Sequence, residues 1–72
     1  MKILIFKTDI QTKQKVNIVK PLFNKHPSII VWSVDTEDID NVLRIEAADD
    51  MVEGEVIELV EPTGLHCEVL PD

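Results

Sequence analysis

Segments of strand and helix periodicity follow one another along this chain in the order strand, helix, strand, strand, helix, strand, which predicts an α+β sandwich. Two further observations narrow the architecture. A chain of 72 residues with 44% apolar content has material for one domain and one thin core, and a single sheet covered on one face satisfies both limits. Two strand–helix–strand units of this length close into a four-stranded antiparallel sheet with both helices on one face, the ferredoxin-like βαββαβ sandwich. No linker, repeat or low-complexity stretch interrupts it, so residues 1–72 form one domain.

Met1 to Thr8 reads as the first strand, with Ile3, Leu4, Ile5 and Phe6 giving bulk to both faces, as in a central strand. The polar stretch Asp9 to Thr12 follows, and Thr12 is placed to cap a helix by accepting a backbone N–H two or three residues on. From Lys13 to about Lys25 the apolar residues Val16, Val19, Leu22 and Phe23 recur at helical spacing, with Ile18 toward the side of the stripe. Pro21 lies deep in that helix, has no N–H for the carbonyl of Asn17 and should bend the helix, with water as the substitute donor. His26-Pro27-Ser28 ends it.

Ile29 to Asp35 reads as the second strand, with Ile30, Trp32 and Val34 on one face and Ile29 and Val31 on the other. Thr36 to Asn41 is a polar turn, and Val42 to Ala47 is a third strand with Leu43 and Ile45 opposite Arg44 and Glu46. Asp50-Met51-Val52-Glu53 fits a capping box with aspartate as the cap. The helix that follows should turn Val52, Val56, Leu59 and Val60 inward, and Gly54 weakens it by about 1 kcal/mol relative to alanine. Pro62 and Gly64 end it, and Leu65 to Leu70 forms the last strand. In this arrangement Ile3, Ile5, Ile29 and Val31 lie on the open face of the sheet, a candidate contact surface.

The net charge of −7 argues against nucleic-acid affinity. Its distribution is uneven: residues 1–28 sum to +5 and residues 29–72 to −12. A basic first helix beside an acidic second helix within one molecule accounts for this. So do two opposite patches that dock on partners or on a second copy. The lone Cys67 excludes an internal disulfide and suits a reduced, cytoplasmic setting. The apolar run Ile3 to Phe6 is too short for a signal-peptide core or a membrane span.

The stretch Phe6 to Phe23, FKTDIQTKQKVNIVKPLF, resembles the heavy-metal-associated domain, the fold of small copper chaperones and of metal-ATPase N-terminal modules. The similarity runs over nearly the whole chain. The family carries a C-x-x-C motif between its first strand and first helix, with a buried anchor two residues before the first cysteine. Ile10 takes the anchor position, and Thr12 and Lys15 stand where the cysteines would be. Trp32 to Thr36 is similar to the family's second strand, and Gly64-Leu65 matches its glycine–aromatic pair with leucine for the aromatic residue. The resemblance implies the scaffold and a habit of docking on proteins. It does not carry metal transfer over, because Thr12 offers a neutral hydroxyl and Lys15 a repelling positive charge where two thiolates would wrap a soft ion.

Other candidates are fewer. His66-Cys67-Glu68 is the one cluster of ligand-type side chains, but on a strand His66 points away from Cys67, which reads first as a small core residue. A metal site at Cys67, with His66, would take copper or zinc and one ion per two chains. His26 reads as a helix-end cap. The acidic turn Thr36 to Asp40 lacks the spacing and glycine of an EF-hand loop. An acylphosphatase-like activity would want an arginine in the first loop, and Arg44 lies on the third strand. No nucleophile–base arrangement emerges.

The function expected is therefore a non-enzymatic binding module without a cofactor. It would dock on an acidic protein surface, or on itself, through Thr12, Lys13 and Lys15, with no nucleic-acid or membrane partner. Metal binding at Cys67 is the alternative, and a small-ligand sensor on the open sheet face is a third class.

Overall fold

A computed structural model describes residues 1–71. The elements are β1 (Lys2–Thr8), α1 (Lys13–Lys25), β2 (Ile29–Val34), β3 (Leu43–Ala47), α2 (Glu53–Val60) and β4 (Cys67–Val69), with a 3₁₀ turn over Glu61–Thr63. The strands form one antiparallel sheet in the order β2-β3-β1-β4. This is the expected ferredoxin-like topology, in which each strand–helix–strand unit places its helix on the same face.

The core lies between that face and the helices. Leu4 and Phe6 of β1 and Leu43, Ile45 and Ala47 of β3 alternate inward to meet Val19 and Phe23 of α1 and Val56 and Val60 of α2. Phe23 meets Trp32 edge-on with ring centroids 5.2 Å apart, and the indole N–H donates to Asn24 Oδ1 at 2.9 Å. α1 has the bounds its periodicity predicts and runs on through the exposed Pro21.

Three local expectations are corrected. In β2 the register slips between Ile29 and Val31: Ile29 faces Ala47, Val31 faces Glu46, and Ile30 is the extra residue of a β-bulge. The bulge reverses the alternation on one side of it. Ile29 therefore joins Trp32 and Val34 on the core face, while Ile30, expected to point inward, is 59% exposed. Ile29 accordingly leaves the open face, which keeps Ile3, Ile5 and Val31 beside Arg44 and Glu46.

The capping box does not form. Met51 is fully buried, and its N–H closes a turn onto the carbonyl of Ala48, so Asp50 sits inside that turn and the helix starts after Val52. Val52 is the N-cap with no side-chain bond, and it is 51% exposed where an inward position was expected. The last strand is also shorter than Leu65 to Leu70: Cys67–Val69 pairs with β1, and Leu70 adds one bond beyond it, from its N–H to the carbonyl of Ile5 at 3.1 Å. Gly64 ends the 3₁₀ turn at φ 88°, a left-handed conformation that glycine adopts without steric cost.

Candidate functional site

The loop from β1 to α1 is anchored before it reaches Thr12. Thr8, at the end of β1, donates its hydroxyl to the carbonyl of Asn41 at 2.6 Å and accepts the N–H of Ile10 at 3.2 Å. Its own N–H reaches the carbonyl of Asp40 at 3.0 Å. Asn41 is buried at φ 45°, a left-handed position that asparagine tolerates better than most residues. Ile10 is fully buried and plugs the core below the loop, in the anchor role its position implied.

Thr12 is the N-cap of α1, and its Oγ1 accepts the N–H of Lys15 at 3.2 Å. The Lys15 ammonium folds back over the loop, donating to the carbonyl of Asp9 at 3.3 Å and to Gln11 Oε1 at 3.4 Å. Asp9 in turn accepts the N–H of His66 at 2.8 Å, tying this loop to the one that follows Gly64. Below that second loop Leu65 is buried. The two positions that the resemblance assigned to thiolates are thus close together, with their polar groups turned to partners within the loop and the first turn of α1. Lys13 is exposed beside them. Among the described residues none of Lys13, Lys15, Lys20 and Lys25 makes an ion pair; the pair that joins the two helical regions is His26 Nε2 with Glu55, at 3.8 Å.

The remaining candidates are dispersed. Cys67 is 4% exposed and faces the core, while His66 is exposed and stands 3.6 Å from Glu68. Burial, then the nearby Glu61 and Glu68 carboxylates, push the Cys67 thiol up to about 12, the opposite of what a metal-binding thiolate needs. His26 caps α1 from the backbone, its N–H bonding to the carbonyl of Phe23, and its Nδ1 accepts the N–H of Ser28 at 3.1 Å.

In the acidic turn, Asp35 Oδ1 accepts the N–H groups of Glu37 and Asp38, and Asp38 Oδ1 accepts that of Asp40 at 2.8 Å. Carboxylates occupied in this way hold a turn. Among the described residues no three His, Cys, Asp or Glu side chains converge as a metal cluster. Among the described residues no helix is long and apolar enough to cross a membrane.

Sequence reasoning missed Asp9, Gln11 and Asn41. An acid directly after a strand and an asparagine at the end of a polar turn are weak local signals. Their partners lie up to 57 residues away, which no local pattern reports.

No protein-family model matches the chain, and no curated protein does. Solved structures do. A chain in the Atx1–Cu(I)–Ccc2a complex is 14% identical, with a TM-score of 0.83 over 100% of this chain and 99% of that one. The chain has the heavy-metal-associated domain fold. The yeast copper transporter domain Ccc2a, solved in apo and Cu(I) states, gives the same values. A chain solved in a study of crosstalk between Cu(I) and Zn(II) homeostasis is 13% identical, with a TM-score of 0.81 over 97% of this chain and all of that one. At this identity the likeness carries the heavy-metal-associated fold and not its ligand. The donor set of this loop, a hydroxyl and a protonated amine, does not fit a soft metal ion.

Proposed function

We propose that this chain is a non-enzymatic docking module, cytoplasmic and without a cofactor, on a metallochaperone-like scaffold that has lost its thiolate site. Its docking surface is the start of α1, where Thr12, Lys13 and Lys15 meet an acidic protein surface. The observation that carries this reading is the state of that loop: Thr12 and Lys15 are turned to partners within the loop and first turn, and Lys13 stands beside them without an ion pair among the described residues. In the Atx1–Cu(I)–Ccc2a complex a domain of this fold meets a second protein, and the proposal extends that use of the scaffold to this chain. Attraction between exposed charges gives binding that weakens with salt. The alternative, copper or zinc held by Cys67 with His66, draws no support from a buried thiol whose ionisation is pushed to about 12.

The test is an NMR titration with a capped hexaglutamate peptide. The amides of residues 11–16 should shift, and Lys13→Glu with Lys15→Gln should abolish the shifts, as should high salt. Shifts spread evenly over the molecule, or unchanged in the double variant, would remove the proposal.

A further inference from the structure

The open face of the sheet carries two complementary rows of side chains. Residues paired across strands share a face, so the registers set Ile5, Arg44 and Ser33 side by side in one row and Ile3, Glu46 and Val31 in the next. The bulge adds Ile30 to the second row, because Ile30 and Val31 together oppose Glu46. Val31 and Ile30 are 52% and 59% exposed, on the side away from the helices. Arg44 and Glu46 stand two residues apart on the central strand β3, and among the described residues neither makes an ion pair. Lys7 and Glu68, paired across β1 and β4, are the other charged strand residues on this face. The four charges cancel, so the net charge of −7 lies elsewhere on the chain.

We propose that this face joins a second copy of the chain, sheet against sheet, about a two-fold axis that crosses the strands between the two rows. Such an axis lays each row over the other row of the second copy. Arg44 then meets Glu46 of the second copy, and Glu46 meets its Arg44. Ile5 covers Ile3 of the second copy, and Ser33 covers its Val31. Sheets packed face to face lie about 10 Å apart, a gap that arginine and glutamate side chains bridge together. Two charges unpaired in one chain are thereby both paired in two, and the aliphatic side chains around them exclude water from the pairs. A self-complementary face is what a two-fold contact requires and what an unrelated partner does not. Association by strand edges is blunted at β2, where the bulge interrupts the ladder. The balanced charge of this face spares two acidic chains a local repulsion where they meet. The contact is separate from the α1 loop and does not depend on docking there.

The test is analytical ultracentrifugation of the full chain and of two charge variants, with circular dichroism to check that each variant is folded. The chain should be a dimer at about 0.5 mM and dissociate on dilution, as suits a contact of modest size. Arg44→Glu and Glu46→Arg each set like charges against one another, and each should weaken association by about tenfold or more. Mixed in equal amounts, the two variants regain both opposite pairs and should form a heterodimer, which misfolded variants would not do. Lys13→Glu with Lys15→Gln should leave the dimer intact. A monomer at about 1 mM would overturn the proposal in favour of a different partner for this face. So would a dimer that Arg44→Glu leaves unchanged, a dimer lost with the α1 substitutions instead, or single variants that stay monomeric when mixed.

Discussion

The backbone N–H of His66 donates to the carboxylate of Asp9 at 2.8 Å, joining the loop after β1 to the loop before β4. This bond extends the β1–β4 pairing, which ends at Thr8 and Cys67, into the two loops of the candidate site. A hydrogen bond to a charged acceptor at a partly exposed position is worth about 1–2 kcal/mol. Asp9→Ala should lower unfolding stability by about that much and speed exchange of the His66 amide, with Asp9→Asn keeping part of the bond. Unchanged exchange at His66 would contradict the geometry.

The bulge in β2 makes neighbouring isoleucines unequal. Ile29 is buried against the sheet, while Ile30 is 59% exposed. Ile29→Ala should cost about 2–4 kcal/mol, and Ile30→Ala less than about 1 kcal/mol. Denaturant titration of the two variants distinguishes this register from regular alternation, which predicts the reverse order.

Pro21 lies inside α1, exposed and unable to bond the carbonyl of Asn17. Pro21→Ala restores a donor and removes the ring from the preceding turn. Proline in a helix interior costs about 3 kcal/mol against alanine, and part of that is offset by the greater freedom alanine gives the unfolded chain. A gain of about 1–3 kcal/mol, read as a higher Tm, is expected.

Cys67 is an acid whose folded pKa, about 12, lies above its ordinary value of 9.0. The folded state keeps the proton that the unfolded chain releases first. The contribution of Cys67 to stability is therefore complete below about pH 9 and declines as pH rises toward about 12. Cys67→Ala should flatten this alkaline decline in Tm. In the native protein at pH 8 the thiol should react with a disulfide reagent about a hundredfold more slowly than in denaturant.

Thiolates at positions 12 and 15 would replace the hydroxyl and the ammonium with soft donors at a helix N-terminus, where a thiolate is favoured. The variant Thr12→Cys, Lys15→Cys should take up one Cu(I) per chain in native mass spectrometry of the reduced protein. The unaltered chain should show only weak adducts with Cu(I) and with Zn²⁺. Tight binding by the unaltered chain would return attention to Cys67.

Much of the scaffold and part of the site were legible in the residues. The bounds of α1, the cap at Thr12, the buried Ile10 and the inward Leu43 and Ile45 follow from periodicity and capping, which act within one turn of helix or one pleat of strand. The start of α2 was misread because Asp50 and Glu53 satisfy a local pattern, while the burial of Met51 draws the chain into a turn first. The Lys15 ammonium was placed at the right loop, but its bonds to Asp9 and Gln11 depend on how that loop folds back.

What the residues determined by themselves was the order of elements, the side of each helix that is apolar and the absence of thiolates at positions 12 and 15. Those are properties of composition and spacing, expressed over a few residues. The tertiary structure alone decided that Ile29 goes in and Ile30 out, and that Asp9 meets His66. Strand register and edge pairing depend on partners tens of residues away, and one inserted residue reverses which side chains a strand buries.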